Sequence, residues 1–311
     1  MGLGVCCQWL EPQTNRSGKV TYVNSIKEGV LQLGKHNRGQ YTTSHVLSCY
    51  RANVRSLQTV VPKLVSAGID NFRMSSSLFP LLDKYHAQAS QDSQLVDELQ
   101  RLGNLFMTSG IRVTTHPGQF TVLSSDSVDV VTNSVRELTM QTWVFDTMGF
   151  AQSPYHAVNI HGGKANRAKQ LVSVINDLPA HVKSRLTLEN DESCYSLLQL
   201  LAVHELTGVP VVFDSHHHSF NTDGLQPEDA YQLSLHTWRK YPSVKPLQHV
   251  SNSSPDLDST ASFQELRKHS DYIQTVPSFQ LEGVRSGTID LDVEAKMKNL
   301  AVIKLKPLLS G

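Results

Sequence analysis

Two kinds of hydrophobic pattern alternate along the chain: short apolar runs, and longer stretches with apolar residues three and four positions apart. The short runs, bounded by turn residues, predict eight buried strands. They cover residues 2–8, 69–76, 111–116, 157–161, 185–189, 210–214, 247–251 and 289–294. The longer stretches predict helices over residues 54–65, 94–108, 127–148, 168–178, 196–204 and 227–239.

Strands that alternate with helices predict a parallel sheet, and eight such units favour a closed (β/α)₈ (TIM) barrel over an open sheet. Gly68 and Gly110 stand where the first two helices need C-terminal caps, and Asp191 where the helix after residue 189 needs an N-terminal cap. Residues 11–50 are polar and predict a basic loop insertion. Because no repeat or linker divides the sequence, we expect a single domain over residues 1–311.

The composition is typical of a soluble globular protein, with 39% hydrophobic and 18% charged residues. No apolar run approaches the roughly 20 residues of a membrane span, and the first ten residues lack the pattern of a signal peptide. The four cysteines fit neither a metal-binding spacing nor a disulfide framework. We therefore expect a cytoplasmic protein in a reducing compartment, without a targeting signal or a membrane partner.

Charge is balanced overall but unevenly distributed. The chain has 28 basic and 28 acidic side chains, so its net charge does not indicate a nucleic-acid partner. Residues 1–69, however, hold eight basic and two acidic side chains. Such asymmetry can mark a nucleic-acid surface. The basic candidates for DNA contacts in the predicted insertion are Arg16, Lys19, Lys27, Lys35 and Arg38.

Six of the eight predicted strands end in a side chain that can ligate a metal ion. These residues are His116, His161, Glu189, Asp214, His249 and Glu294. In a (β/α)₈ barrel the carboxyl ends of all strands meet at one mouth. Three imidazoles and three carboxylates gathered there would be costly without cations, because of desolvation and like-charge repulsion. Mixed histidine and carboxylate ligation suits Zn, Mn or Fe better than Mg or Ca.

More ligand candidates lie nearby in the sequence. His217 follows Asp214 by three residues, and His269 and Asp271 precede the last strand. Of the run 216–218, His216 is predicted to face away from the site. These residues suffice for three metal ions with one bridging carboxylate. Such a site can hydrolyse a phosphodiester by in-line displacement or isomerise a sugar, and the ligands alone leave both reactions open.

Seven motifs occur in one order along nearly the whole chain. They are F-R-M-S-S-S-L-F-P (72–80), H-P-G-Q-F (116–120), N-I-H-G-G (159–163), L-E-N-D (188–191), F-D-S-H-H-H (213–218), H-S-D-Y (269–272) and V-E-A-K (293–296). This series resembles the UV damage endonucleases, a family similar to the three-metal apurinic endonuclease barrels. The resemblance implies a DNA repair enzyme that cuts the strand 5′ to a pyrimidine photodimer, leaving a 3′-hydroxyl and a 5′-phosphate.

The resemblance also implies roles for the ligand candidates. His116, His161 and Glu189 match the first metal set, with Glu189 bridging. Asp214, His249 and Glu294 match the second, and His217, His269 and Asp271 the third. The implied catalytic residues are Glu189, His116, Asp214 and Glu294. Up to three divalent metals are expected, with Mn²⁺ as the first choice and Zn²⁺ or Mg²⁺ as alternatives.

For the DNA, Gln119 and Phe120 match a Gln-Tyr pair that family members insert into the duplex at the lesion. Arg73, Ser75 and Ser76 are expected to hold phosphates or to structure the mouth. The implied partner is double-stranded DNA that contains photolesions, with no obligate protein partner. The implied protein is a bacterial or archaeal monomer that acts at the nucleoid.

Three positions differ from the family pattern. Leu247 stands where the family has a Lys, whose carbamate can bridge metals, and Lys245 lies two positions further upstream. Val5 replaces the Tyr of an L-G-Tyr pattern, and Phe120 replaces the Tyr of the inserted pair. These differences concern the number of metals and the preferred lesion.

Two alternative functions remain open from the sequence. One is a metal-dependent barrel isomerase or epimerase acting on a free sugar, which would need acid–base partners and a small closed pocket. The other is a damage-binding homologue with reduced activity, for which Leu247 is the supporting observation. The Gln119-Phe120 pair and the basic segment 11–50 favour a polymer as substrate.

Overall fold

Ten strands are present in the computed structural model, which describes residues 2–309. They are β1 (Leu3–Cys6), β2 (Leu10–Thr14), β3 (Val20–Asn24), β4 (Asn71–Met74), β5 (Arg112–Thr115), β6 (Val158–His161), β7 (Leu186–Glu189), β8 (Val211–Asp214), β9 (Leu247–Val250) and β10 (Asp290–Val293). All except β2 and β3 form a closed parallel barrel, in which each strand pairs with the next and β10 pairs with β1. Every predicted strand contains one barrel strand, so the predicted fold is confirmed.

Helices surround the barrel and connect its strands. They are α1 (Leu33–Asn37), α2 (Thr43–Gln58), α3 (Val61–Ala67), α4 (Leu82–Gln91), α5 (Ser93–Thr108), α6 (Val128–Thr147), α7 (Ala168–Asp177), α8 (Ala180–Lys183), α9 (Leu197–Thr207), α10 (Ser215–His218), α11 (Pro227–His236), α12 (Phe263–Leu266), α13 (Ser278–Arg285) and α14 (Lys298–Leu305). Two 3₁₀ turns cover Pro154–His156 and Lys306–Leu309. None of the helices within residues 2–309 is long and apolar enough to span a bilayer.

Local chemistry explains where the helices differ from the prediction. Residues 54–65 belong to two helices, because Pro62 in the first turn of α3 cannot continue α2. Gly68 ends α3 as predicted, in the left-handed conformation with φ 58°. The predicted cap Asp191 is wrong, since Ser196 caps α9. The Asp191 carboxylate instead accepts hydrogen bonds from backbone amides of the loop after β7, including that of Ser193 at 2.9 Å.

The segment 11–50 is not a loop throughout, which corrects the prediction. β2 and β3 pair as an antiparallel hairpin, and α1 and the start of α2 follow. Buried Ile26, Leu31 and Val46 anchor the segment to the main core. Because it follows β1, this segment belongs to the side of the barrel where the strands end.

Candidate active site

The strand-end ligand candidates meet at the mouth of the barrel. They end β6, β7 and β8, directly follow β5 and β10, or lie within β9: His161, Glu189, Asp214, His116, Glu294 and His249. The strand register places His161 beside Glu189 and Asp214 beside His249. The structure therefore brings together residues that lie far apart in the sequence.

Glu189 lies at the centre of the cluster and is buried. Its Oε2 atom lies 3.1 Å from Nε2 of His116, and its Oε1 atom lies 3.1 Å from Nδ1 of His249 and 3.3 Å from Nδ1 of His217. Asn159 also donates to Oε2. Burial by itself would raise the pKa of Glu189, but the surrounding imidazoles hold that pKa well below its usual value. The carboxylate is thus kept ionised among four polar neighbours.

His249 lies between two carboxylates. Its Nδ1 atom is 3.1 Å from Oε1 of Glu189 and 3.2 Å from Oε1 of Glu294. Burial alone would lower the pKa of His249, but the two carboxylates raise it to about 9. Arg73 forms an ion pair with Glu294, and together with His249 it holds the pKa of that carboxyl below its ordinary value despite burial.

Two groups of ligand atoms have the geometry of metal sites. The first comprises His116, His161 and Glu189, the second Glu189, Asp214 and His249, and within each group the ligand atoms lie within 4.8 Å of one another. Nδ1 of His161 and Oδ2 of Asp214 are buried and have no hydrogen-bond partner among residues 2–309. Such atoms are costly unless something binds them. The residues therefore fit divalent cations, with Glu189 shared between two of them.

His217 joins this cluster from α10. Besides its contact with Glu189, its Nε2 atom lies 3.8 Å from Oε1 of Glu192, and its Nδ1 atom lies 3.0 Å from the carbonyl oxygen of Asn190. Burial alone would lower the pKa of His217, but the carboxylates of Asp214, Glu189 and Glu192 raise it well above its ordinary value. His216 packs edge-on against Phe220, and its ring centroid lies 6.4 Å from that of His269. That His216 faces away from the site stays a prediction.

The other two candidates for a third metal differ in position. Nε2 of His269 lies 3.6 Å from Oε2 of Glu294, at the edge of the cluster. Asp271 is not brought to the cluster: its side chain is 68% exposed, and its Oδ1 atom lies 3.7 Å from Nζ of Lys296. Ser253 and His269 pair in an isolated antiparallel β-bridge, which holds the backbone of His269 in place. Asp271 lies outside the mouth.

Two clefts flank the loop that follows β5. One, of about 420 Å³, contains His116, His161 and His217 together with Gln119. The other, of about 400 Å³, contains Phe120, and both clefts share Gly118 and Thr121. The Phe120 side chain is 84% exposed, so it is not an aromatic of the barrel core.

The family model for UV-endonuclease UvdE matches residues 17–311. The chain belongs to this family. It is 34% identical over 268 residues to the UV DNA damage endonuclease of Deinococcus radiodurans. The matched region covers 84% of this chain and 83% of that protein. The UV DNA damage endonuclease of a Nostoc species is 34% identical over 269 residues, or 85% of this chain and 79% of the relative.

One solved structure supports the same family, and two others share only the fold. The crystal structure of SacUVDE is similar with a TM-score of 0.79 and 26% identity, covering 99% of both chains. Endonuclease IV from Thermus thermophilus has a TM-score of 0.57 at 13% identity, over 82% of this chain and 94% of that one. A D-psicose 3-epimerase from Clostridium cellulolyticum has a TM-score of 0.51 at 12% identity, over 76% and 78% of the two chains. The likenesses to endonuclease IV and to the epimerase show the fold alone.

Two of the residues that differ from the UvdE pattern, Leu247 and Val5, are buried among apolar side chains. Leu247 is fully buried in a small apolar cluster with Ala157, Val212 and Trp238. Lys245 does not replace the missing Lys, because its Nζ atom lies 3.9 Å from Asp290 at the start of β10. Val5 is fully buried in the main apolar core.

The residues of this chain that are expected to contact DNA differ in their exposure and in their contacts. Arg73 is largely buried and is paired with Glu294, which agrees with the alternative that it structures the mouth. Its contact with DNA phosphates stays a prediction. Ser75 donates to Glu28 at 3.2 Å, and the Ser76 carbonyl accepts from Gln141 at 3.0 Å. Arg16 is exposed in the turn between β2 and β3.

Three neighbours of the cluster were missed by the sequence analysis: Asn159, Glu192 and Asp292. Asn159 and Asp292 each lie two residues before a predicted ligand on the same strand or its end. Alternate residues of a strand share a face, so a search at this spacing would have found both. Glu192 lies in a loop, where no such spacing rule applies.

Proposed function

We propose that this chain is a metal-dependent endonuclease that cuts double-stranded DNA 5′ to a pyrimidine photodimer, leaving a 3′-hydroxyl and a 5′-phosphate. The observation that carries the proposal is Glu189, shared between two groups of ligand atoms at the barrel mouth. Membership of the UvdE family, with relatives named UV DNA damage endonucleases, points to DNA as the substrate of this site.

The cluster would hold its metals as follows. His116 and His161 would hold one ion, and His249, Asp214 and Glu294 would hold a second. Glu189 would contribute to both sites, since its carboxylate belongs to both groups of ligand atoms. Histidine nitrogens mixed with carboxylates suit Mn²⁺ or Zn²⁺ better than Mg²⁺. Mn²⁺ is the first choice because the resemblance to the UV damage endonucleases implies it. Bound divalent ions supply Lewis acidity at the attacking and leaving oxygens of the phosphodiester.

A third ion would be held by His217 and His269, which both lie beside the cluster. Asp271 joins this set only if its side chain turns away from Lys296. Arg73 keeps Glu294 ionised and fixes its orientation, and the hydrogen bond from Asn159 orients Glu189. These contacts hold the two carboxylates in place before any substrate arrives.

Gln119 and Phe120 would detect the lesion. A photodimer weakens pairing and stacking, so opening the duplex there costs less than in intact DNA. An exposed aromatic side chain at the loop between two clefts can occupy the opened gap, where stacking is worth roughly 1–3 kcal/mol per base. Gln119 can bond to the edges of bases that have lost their partners. The exposure of Phe120 favours a polymer substrate over a free sugar.

The test uses a duplex with one pyrimidine dimer, labelled in turn at each end of the damaged strand, incubated with Mn²⁺ with and without a chelator. We expect a single chelator-sensitive cut 5′ to the dimer, and no cut with Glu189→Gln. Gln119→Ala combined with Phe120→Ala should keep its metal content and lose the preference for damaged duplex.

Leu206→Ala is the matched control, because it removes another exposed apolar side chain, at the end of α9. It should cut like the wild type. Binding of damaged DNA without any cut would instead establish the damage-binding homologue, and turnover of free ketoses would establish the epimerase. Undiminished lesion preference in the double variant would remove Gln119 and Phe120 from lesion detection.

A further inference from the structure

Asp292 is a fully buried residue of β10, and only one of its two carboxylate oxygens accepts a hydrogen bond in the described part of the chain. Its Oδ1 atom accepts a hydrogen bond from Nδ2 of Asn71 at 2.6 Å. Its Oδ2 atom has no hydrogen-bond partner in the described part of the chain, and it lies 3.8 Å from Nε2 of His249, which has none either. Two buried polar atoms that face each other without a partner require an explanation, because leaving each unsatisfied is costly.

The orientation of His249 supplies that explanation. Its Nδ1 atom faces Glu189 and Glu294, at 3.1 and 3.2 Å, so this nitrogen lies on the ligand side. Nε2 points the other way, towards Asp292. An imidazole that ligates a metal through one nitrogen commonly donates its other N–H to a carboxylate, which fixes the tautomer and the direction of the ring.

We propose that Asp292 is a positioning residue of the metal centre, which accepts the Nε2–H of His249 and so directs its Nδ1 lone pair at the metal. The inference rests on the proposed function, since it assumes that His249 is a ligand. Asn71 anchors the other oxygen of Asp292 and leaves Oδ2 free for the imidazole.

Gly4 provides independent support. It is the partner of Asp292 in the register between β1 and β10. A Cβ atom at this position would lie 1.9 Å from Oδ1 of Asp292 and 2.8 Å from Nδ2 of Asn71. The backbone of Gly4 is outside the left-handed region, so its conformation does not require glycine. The space that the missing side chain leaves is filled by the carboxylate.

A purely structural role for Asp292 is poorly supported by its contacts. Asp290, two residues earlier on the same strand, pairs with Arg112 at 2.8 Å. Asp292 has only the neutral amide of Asn71 as a hydrogen-bond partner among residues 2–309. Burying a carboxylate with a single neutral donor is unfavourable. The Nε2–H of His249 would provide the second donor that Asp292 lacks.

Asp292→Asn tests the proposal without changing the size of the side chain. Because Asn71 donates to Oδ1, the new amide would turn its own N–H₂ towards Nε2 of His249. His249 must then carry its proton on Nδ1, which blocks that nitrogen as a ligand. We expect Mn²⁺ binding by the metal-free protein, measured by competition with a fluorescent chelator, to weaken about 10–100-fold at one site.

Asp290→Asn is the matched control: the same substitution on the same strand, beside Arg112 instead of His249. It should lower the stability of the fold and leave the Mn²⁺ affinity of the folded protein unchanged. Asn71→Ala is the second variant, which decides the question if Asp292→Asn does not fold. It should weaken Mn²⁺ binding in the same direction, because Asp292 loses its anchor.

The outcomes separate this inference from the proposed function. A wild-type protein that binds no Mn²⁺ or other divalent metal would overturn both. Metal binding by the wild type with undiminished affinity in Asp292→Asn, or in Asn71→Ala where the first variant is unfolded, would overturn only the role of Asp292. Equal weakening in Asp292→Asn and Asp290→Asn would also overturn it, since loss of any buried carboxylate would then suffice.

Discussion

Histidine chemistry in this protein depends on which charges face each buried ring. Burial lowers the pKa of both His249 and His156, but the carboxylates beside His249 raise its pKa to about 9. His156 has no such partner among the groups that shift it: it stacks on Phe150 with ring centroids 4.0 Å apart, and its pKa falls to about 4. In the metal-free protein His249 is therefore charged at neutral pH, whereas His156 is neutral.

His156 should make the fold sensitive to mild acid. The folded pKa is lowered, so the unfolded chain binds the extra proton first, and stability present above about pH 6.5 is lost as the pH falls towards 4. The full shift corresponds to about 3 kcal/mol. Urea unfolding at pH 7 and pH 4.5 should show a smaller loss for His156→Gln than for the wild type. His236→Gln, at an exposed position, is the control, and equal losses in all three proteins would refute the assignment.

Strand-end ligands such as His161 and Asp214 could be predicted from sequence because every strand of a parallel barrel ends at the same mouth. The partner of Arg73 could not be predicted from the sequence. Its ion pair with Glu294 depends on how β4, β1 and β10 are aligned across the barrel, which no local pattern specifies. The partners of Asp292 could not be predicted either, although its place two residues before Glu294 could, because its contacts with Asn71 and His249 cross strands.

At the scale of elements, the eight barrel strands were predictable and the β2–β3 hairpin was not. The barrel strands are buried runs that interrupt helical patterns, whereas most residues of β2 and β3 are exposed, so no face shows an apolar alternation. The short α1 and α12 bury none of their residues and leave equally little trace in the sequence. Elements become visible in a sequence to the extent that they bury a face.

The hairpin should contribute to DNA binding through its charged turn. Arg16 and Lys19 are exposed there, on the side where the substrate would approach. Each phosphate that a basic residue neutralises contributes a slope of about −0.9 to the dependence of log affinity on log salt. Replacing both residues by Gln should therefore flatten the slope by up to about 1.8, measured with damaged duplex between roughly 50 and 200 mM salt.

Arg239→Gln with Lys240→Gln is the matched control for that measurement. These residues are also basic, exposed and close together, but they follow α11 at the opposite end of the barrel. Their replacement should leave the slope unchanged. If the two double variants behave alike, the DNA surface does not include the hairpin.

The two ends of the whole barrel are built differently. At the end where the strands begin, Arg112 pairs with Asp290 and donates to the carbonyls of Pro154 and Tyr155. At the mouth, charged and polar atoms gather without matching partners, as Oδ2 of Asp214 shows among the described residues. The mouth is therefore the part of the molecule where bound cations would compensate buried polar atoms that lack a partner.

Metal binding should therefore stabilise the whole fold. A ligand that binds only the folded state, present at about 100 times its dissociation constant, contributes about 2.7 kcal/mol. For a chain of 311 residues, with an unfolding entropy of about 2.1 cal/mol/K per residue, that corresponds to a rise in the unfolding midpoint of roughly 4 °C. We expect Mn²⁺ to produce such a rise in a thermal melt, and excess chelator to reverse it. Ca²⁺, which prefers all-oxygen sites, should stabilise the protein less than Mn²⁺ does.

Glu189→Gln gives this measurement its specificity. The substitution keeps the shape of the side chain but removes the charge that both groups of ligand atoms share, so most of the Mn²⁺-dependent rise should disappear. The metal-free variant must be melted as its own reference, because loss of a buried carboxylate among histidines also changes the stability of the fold. The increment caused by Mn²⁺ is therefore the quantity to compare. An equal increment in wild type and variant would show that the stabilising ion binds elsewhere, and Glu189 would lose its place at the centre of the metal site.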